Sequence, residues 1–463
     1  MARKKGNLKF GNEYNMGLLT DLYQLTMAAS YFEHGKNEIA TFDMFVRKLP
    51  KNRNYLVAVG LEQVLEYLEN LHFGEEDIAY LKKQGIFKDE FLEYLKEFRF
   101  TGDVYAVKEG TIIFANEPIL RVTAPRIEAQ IVETYILNQI NFQTMIASKA
   151  SRIVHAAKKA AVVDFSPRRD HGSDAALKAA RASYIAGCVG TSNVLAGKIY
   201  EIPIIGTMAH SYIMSFDDEL EAFRTYAKTF PENTVLLIDT YNTIEGAKKA
   251  VIIAKEMGAK GYKLKGVRLD SGDLVELSKK VRRILDKEGL DYVKIVASSD
   301  LNEYKIAELI EKGAKIDIYG VGTEMGTSKD APAISGVYKL CEDTNKEGKL
   351  VAKIKLSEGK ITLPGRKQVY RISNKNGEYK KDIIALEEEI LDGEPLLEKV
   401  MENGRRLQEK EKITEIRKRT LENLARLPKK YKSINNYEAY PVEISTKLKI
   451  LIEDLIKKYG GGK

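Results

Sequence analysis

Of the five histidines in the chain, His210 has the most suggestive setting. It closes the apolar run Ile202-Pro203-Ile204-Ile205-Gly206-Thr207-Met208-Ala209 and is followed by Ser211. Imidazole can act as a base or a nucleophile near neutral pH. A strand of this apolar character is expected to be covered on both faces, so polar chemistry would begin at its mouth. A histidine that merely hydrogen-bonds at a strand end would show the same pattern, so the weight lies in what repeats elsewhere. Asp239 follows the apolar run 234–238, and Arg268 and Asp270 follow 265–267. An acid and a guanidinium at neighbouring strand ends could be a structural ion pair. With hydroxyls and amides beside them (Thr240, Asn242, Ser271), they equally suit a polyhydroxylated, phosphorylated ligand.

Two further polar clusters, Ser298-Ser299-Asp300 and Gly320-Val321-Gly322-Thr323, follow β-branched runs and precede helical starts. Backbone N–H groups in such loops can cradle phosphate, although the glycines would also serve a tight turn. The stretch from Gly320 to Gly326 is one residue too long for the dinucleotide fingerprint and comes late in the chain. No G-x-x-x-x-G-K-[ST] loop occurs, which excludes P-loop chemistry.

The elements that must position these residues are short apolar runs at 161–165, 234–238, 265–267, 293–297 and 316–319, each closed by a polar cluster. Helical patterns at 174–188, 217–228, 244–257, 273–285 and 302–311 lie between or after them, with Ser271 and Ser299 as candidate helix caps. Strand, polar loop and helix in repetition indicate a parallel α/β barrel or a doubly wound sheet. Both folds place their active site at the carboxyl ends of the strands, where all the polar clusters fall.

The 463 residues are enough for two or three domains. Net charge is +8, from 74 basic and 66 acidic residues, and this mixed surface does not argue for nucleic acid. Residues 1–5 resemble the start of a signal peptide, but no apolar core follows, and no apolar run approaches membrane-spanning length. The two cysteines, Cys188 and Cys341, fit a reducing cytoplasm and leave no Cys-based zinc site; Cys188 reads as a small core residue. Residues 1–130 carry helical patterns at 18–32, 57–71 and 89–98, then an antiparallel β passage at 102–123. The barrel-like repeat occupies 131–340. Residues 341–463 hold short strands (353–356 and 367–371) and then charged helices, ending in an amphipathic segment at 448–458 and a tail at 460–463 expected to be disordered. On the first helix, Asp21, Tyr23 and Gln24 cannot all be buried without partners.

These motifs together resemble the bacterial nicotinate phosphoribosyltransferases, over nearly the whole chain. The residues that carry the resemblance are Thr20-Asp21-Leu22-Tyr23-Gln24, Phe165-Ser166-Pro167-Arg168-Arg169, Gly190-Thr191-Ser192-Asn193, Gly206-Thr207-Met208-Ala209-His210-Ser211, Ile238-Asp239-Thr240-Tyr241, Arg268-Leu269-Asp270-Ser271-Gly272-Asp273 and Gly320-Val321-Gly322-Thr323. Together they are specific; singly none is. The resemblance implies an irregular, TIM-like α/β barrel with an α+β sandwich domain formed from both chain ends, and a homodimer with shared active sites. It implies that nicotinate and 5-phosphoribosyl 1-pyrophosphate give nicotinate mononucleotide and pyrophosphate, in NAD biosynthesis. It further implies that ATP hydrolysis is coupled through a phosphohistidine at His210, with Mg²⁺ held mainly by substrate oxygens.

By the same resemblance, Asp239 holds the ribose or orients His210, and Arg168 and Arg268 hold anionic groups. Phe165 and the partner chain's Tyr23 sandwich the pyridine ring. Thr207 and Ser192 belong to the base pocket, Gly322 and Thr323 hold the 5-phosphate, and Asp270 and Ser299 complete the substrate-binding set. Nicotinamide-using relatives carry an Asp in the base pocket where this chain has Ser192-Asn193, which favours nicotinate. A catalytically idle ligand sensor on the same fold is disfavoured by the joint presence of His210, Asp239 and Arg268.

Overall fold

The computed structural model describes residues 16–357 and 362–460. The basic start at residues 1–5 and the last three residues of the tail lie outside the described residues. The chain divides into two units, Ile146–Pro332 and Met1–Met145 with Ala333–Lys463.

The unit Ile146–Pro332 is α/β. Its six strands are all parallel, in the order Gly190–Thr191, Ala161–Asp164, Ile318–Val321, Lys294–Ala297, Gly266–Leu269, Val235–Leu237. Successive residues along the strands are buried, among them Val162 and Val163, Leu236 and Leu237, and Ile295 and Val296. A parallel sheet covered on both faces produces such unbroken apolar runs. The helices Ser173–Ile185, Glu219–Thr229, Thr243–Gly258, Leu274–Lys287 and Glu303–Glu311 lie close to the expected positions.

Their entry residues differ from expectation. The caps are Asp273 and Asn302, each accepting from two first-turn N–H groups, rather than Ser271 and Ser299. The helices begin two or three residues later than a serine cap would require, and a well-made cap contributes about 1 kcal/mol. Gly246, at the start of Thr243–Gly258, lets that helix press onto the strand end: a Cβ there would lie 2.1 Å from the carbonyl oxygen of Ile238.

The run leading to His210 is not a strand. Among residues 202–205, only Ile204 forms a bridge, to Thr191, and both Pro203 and Ile204 are exposed. Glu201 leaves the preceding helix, Val194–Tyr200, with φ of 57°. Pro203 has no N–H to donate, so its carbonyl alone contributes, accepting from Thr191 N at 3.0 Å. His210 instead opens a short helix, His210–Met214. Beyond the Ile204 bridge, the ordered sheet has two edges, at Gly190–Thr191 and Val235–Leu237.

In the other unit, both ends of the chain share one seven-stranded sheet. Ile39–Val46 pairs antiparallel with Gly336–Thr344 on one side and Pro118–Pro125 on the other; Asp103–Val107 pairs with Pro118–Pro125 and with Leu397–Glu402. The expected β passage at 102–123 is therefore part of a larger sheet completed by strands from the far end of the sequence. One apolar cluster joins Met44, Val104, Leu120 and Val122 to Tyr338, Val369 and Leu397. The strand expected at 353–356 is displaced to Leu350–Ala352, whereas Lys367–Ser373 matches its expectation. The 25-residue helix Glu133–Ala157 has no counterpart in the sequence reading, and the division at 145/146 falls inside it. Residues 143–150 of this helix are all buried, so no polar face marks its period.

Candidate active site

The polar residues singled out in Ile146–Pro332 gather at the carboxyl ends of its strands. His210 is 38% exposed. Its Nδ1 lies 3.1 Å from Thr240 Oγ1, and its Nε2 lies 3.7 Å from Asp270 Oδ2. Asp239 is not the group beside the imidazole. Its Oδ2 accepts from Asp270 N at 2.8 Å and from Ser271 Oγ at 2.6 Å, while its Oδ1 is buried without a partner. Asp270 accepts a short bond from Ser298 Oγ. Strand ends at 237, 269 and 297 are thus laced together by carboxylates that accept from the next loop.

Arg268 is half-buried. It donates a short bond to Thr207 Oγ1, and its Nε is buried without a partner. Burial pushes the guanidinium pKa down; Asp270 and Asp239 oppose that shift and Arg168 adds to it. Arg168 itself is exposed. Arg268 thus keeps a buried donor, Nε, without a partner, which suits a phosphate or carboxylate ligand.

Phe165 follows Ala161–Asp164, and its ring lies over Gly320 on the neighbouring strand: a Cβ at 320 would be 2.4 Å from the ring's Cδ2 and Cε2. The loop carrying Phe165 is anchored by Asp164, which is fully buried and accepts from Ser166 N at 2.9 Å and Thr191 Oγ1 at 2.7 Å. Burial raises the pKa of Asp164 while those donors pull it down. Asp170 accepts from Ser166 Oγ at 3.0 Å, and burial, helped by the charge of Asp164, pushes its pKa up to about 6.

Within Ser192-Asn193 the two side chains have separate tasks. Asn193 caps the helix Val194–Tyr200 and donates to Ala176 O, whereas the Ser192 hydroxyl is buried and unpartnered. Ser299 is exposed at φ of 110° and Asp300 has φ of 44°, an unusual backbone that turns the loop after Lys294–Ala297. Gly322 and Thr323 follow Ile318–Val321 directly. Tyr23 belongs to the other unit. It lies on Leu22–Glu33, 49% exposed, with its hydroxyl 3.5 Å from Glu133, while Gln24 is buried and donates to the same carboxylate at 2.8 Å. Asp21, also exposed, accepts from Thr134 Oγ1 at 2.8 Å.

Sequence reasoning gave Thr240 and Ser298 only a share in polar clusters, and Asp164 no role. Each is adjacent to, or inside, a motif that was read, and a hydroxyl next to a strand-end acid is the signal that could have marked the first two. A cavity of about 590 Å³ in the antiparallel unit, lined by Arg371, Tyr379, Arg419 and Arg426, gathers none of the motif residues. Its arginines are already paired, with Asp382, Glu411 and Glu394.

A parallel α/β sheet whose strand ends bring together a histidine, carboxylates and a half-buried arginine is a candidate site for an anionic, polyhydroxylated small molecule. Comparison with known proteins narrows that class. The N-terminal domain of nicotinate phosphoribosyltransferase (NAPRTase) matches residues 18–141, the NAPRTase family proper matches 160–369, and the NAPRTase C-terminal domain matches 391–452. Nicotinate phosphoribosyltransferase pncB2 of Mycobacterium tuberculosis is 46% identical, covering 93% of this chain and 92% of its own length. The Bacillus subtilis nicotinate phosphoribosyltransferase is 41% identical, with 95% of each chain covered. The crystal structure of human nicotinic acid phosphoribosyltransferase superposes with a TM-score of 0.84 at 26% identity, covering 94% of this chain and 99% of that one. The chain belongs to the nicotinate phosphoribosyltransferase family.

Proposed function

We propose that this protein is an enzyme that joins nicotinate to 5-phosphoribosyl 1-pyrophosphate, releasing nicotinate mononucleotide and pyrophosphate, for NAD biosynthesis. The observation that carries the reading is the half-buried Arg268, whose buried Nε is unpartnered amid Asp239, Asp270 and Thr207. The pyridine nitrogen attacks ribose C1 as the C1–O bond to pyrophosphate breaks. The site must therefore hold an oxocarbenium-like ribose beside several anionic groups. Asp239, with one buried oxygen still free, is assigned to the ribose side of the reaction. Arg168 and Arg268 hold anionic groups, and Ser299, Gly322 and Thr323 hold phosphate. Phe165, seated on Gly320, stacks on the pyridine ring. Ser192 and Thr207 line the base pocket, where a neutral hydroxyl accepts a carboxylate neighbour without repulsion.

His210 is the site of ATP-dependent phosphorylation in this reading. If Nδ1–H donates to Thr240, Nε2 keeps its lone pair for the γ-phosphorus, and ADP leaves. The Nδ1–H bond to Thr240 then fixes the ring; Asp270, 3.7 Å from Nε2, pairs with it only when Nε2 carries a proton. Mg²⁺ accompanies ATP and the diphosphate, held by their oxygens. The described residues bring no three His, Cys, Asp or Glu side chains together as a cation cage, and the fit on the protein side rests on the free Asp239 Oδ1.

Tyr23 reaches the site from a partner subunit in a homodimer; Leu22, Tyr23 and Met27 stand exposed on one helix, as a face awaiting a partner chain would. The six-stranded sheet is read as the wall of an irregular barrel and the two-ended antiparallel unit as its sandwich domain. No helix among the described residues is long and apolar enough to cross a membrane, and the two free, buried cysteines suit a cytoplasmic location.

The test is product analysis with nicotinate, nicotinamide and quinolinate, each with and without ATP, on wild type and His210→Ala. Nicotinate should be turned over at least about a hundredfold better than nicotinamide. His210→Ala should lose ATP hydrolysis yet retain a residual transfer. Comparable use of nicotinamide would overturn the substrate assignment, and retained ATP hydrolysis the role of His210.

A further inference from the structure

Lys149 is completely buried on the helix Glu133–Ala157. Its Nζ lies 2.6 Å from Glu303 Oε2, 2.8 Å from Asp330 Oδ1 and 3.8 Å from Glu324 Oε2. Glu303 is also fully buried, and its other oxygen accepts from Arg152 Nε at 3.1 Å. Arg152 continues to Tyr304, donating from Nη2 to the phenol oxygen at 3.2 Å. Lys149 and Arg152 thus share the buried Glu303, while Asp330 reaches Lys149 from the surface. Glu324 sits at the rim, also paired with the exposed Lys329.

What this cluster joins gives it meaning. Glu303 is the first residue of Glu303–Glu311, directly after the Ser298–Asn302 loop that holds Ser299 and Asp300 in positive-φ conformations. Glu324 is the neighbour of Thr323, and Asp330 closes the turn that follows the short helix Thr323–Gly326. The two loops leave adjacent parallel strands, Lys294–Ala297 and Ile318–Val321. One buried ammonium therefore ties together both loops assigned to phosphate.

Stability does not require a lysine here. A buried ion pair is often no more stable than well-packed apolar side chains in its place. A compact ammonium does differ from an apolar side chain in one respect: as a point charge it draws carboxylates from both elements to one place. Loop spacing matters because a small misplacement of a phosphate-holding loop weakens every contact it makes to the ligand.

We infer that Lys149 is a positioning residue that sets the spacing between the Ser299 and Gly322–Thr323 loops, and so the affinity for the phosphoribosyl substrate. This rests on the assignment of those loops to phosphate made above. Four variants, Lys149→Met, Lys149→Arg, Asp330→Asn and Thr323→Val, are compared with wild type by steady-state kinetics, varying each substrate in turn. Thr323→Val tests the underlying assignment and should raise KM for 5-phosphoribosyl 1-pyrophosphate. Lys149→Met should raise the same KM about tenfold, with KM for nicotinate and kcat at saturation little changed. Asp330→Asn should give a smaller rise in the same direction, and Lys149→Arg should restore most of the loss. A merely structural lysine would lower the active fraction, and with it kcat, and leave both KM values alone. If Lys149→Met does not fold, the milder Asp330→Asn decides. A rise in Thr323→Val without one in Lys149→Met or Asp330→Asn overturns the positioning role alone. No rise in Thr323→Val overturns the loop assignment and the inference together.

Discussion

Two arginines, one in each unit, behave in opposite ways. Arg371, in the antiparallel unit, is fully enclosed. It donates from Nε and Nη2 to Asp382 and from Nη2 to Ile112 O, and its guanidinium lies between the rings of Tyr379 and Phe114. Burial works against its charge, but Asp382 outweighs burial and the guanidinium pKa rises. Arg268, at the mouth of the parallel sheet, faces a similar burial cost. Asp270 and Asp239 do not cover it, and its pKa falls. The difference is that Asp382 spends both oxygens on Arg371, with Tyr440 as a further donor. Asp239 turns one oxygen to Asp270 N and Ser271 and leaves the other without a partner, while Asp270 turns one oxygen to Ser298 and the other toward His210. Arg371 is neutralised by its own fold, whereas Arg268 keeps one donor, Nε, without a partner.

Exchanging both arginines for methionine should break this comparison most sharply. Arg371→Met strands Asp382 in the interior and should cost about 3–5 kcal/mol of stability, read as a large drop in melting temperature, with KM unchanged in the enzyme that remains folded. Arg268→Met should leave the melting temperature unchanged or slightly raised, and lower kcat/KM by about a hundredfold or more. Equal losses of stability in the two variants would mean that Arg268 is scaffold as well.

A smaller effect is expected at the ring platform. In Gly320→Ala the new methyl would collide with the Phe165 ring, which must turn or withdraw. KM for nicotinate should rise about tenfold, a change of about 1.4 kcal/mol, with little change for the phosphoribosyl substrate. An unchanged nicotinate KM would remove Phe165 from the base pocket.

The smallest effect concerns pH. Burial holds the Asp170 pKa at about 6 against an ordinary 3.8. The folded state therefore keeps a proton that the unfolded chain has released. Asp170 favours folding most below the ordinary value, and that contribution is lost as pH rises toward about 6. Asp170→Asn, which cannot ionise, should melt higher than wild type at neutral pH, and its melting temperature should fall less between pH 4 and 6. A wild-type and variant pair with parallel pH profiles would show that Asp170 titrates normally.

Much of this was legible in the chain itself. The parallel strands and their helices could be read because a doubly covered sheet needs unbroken apolar runs and amphipathic helices need a period. His210, Asp239, Arg268 and Asp270 could be read because charge at the end of such a run has few structural reasons to be there. Three kinds of fact could not be read locally. The antiparallel sheet pairs Ile39–Val46 with Gly336–Thr344, a partner hundreds of residues away that no local pattern specifies. The helix Glu133–Ala157 is buried along residues 143–150, so it lacks the polar face that would betray its period. The run before His210 has the composition of a strand, yet the left-handed Glu201, Pro203 and a single bridge to Thr191 keep it irregular.

The sequence by itself determined which residue types stand at the strand ends, because burial selects apolar residues along the strands and leaves the polar ones to the loops. Only the tertiary structure decided that Thr240 and Asp270, not Asp239, border the imidazole, that Gly320 seats Phe165, and that Lys149 joins two loops. Those relations depend on distances across neighbouring strands, and a one-dimensional pattern carries residue identity without carrying distance.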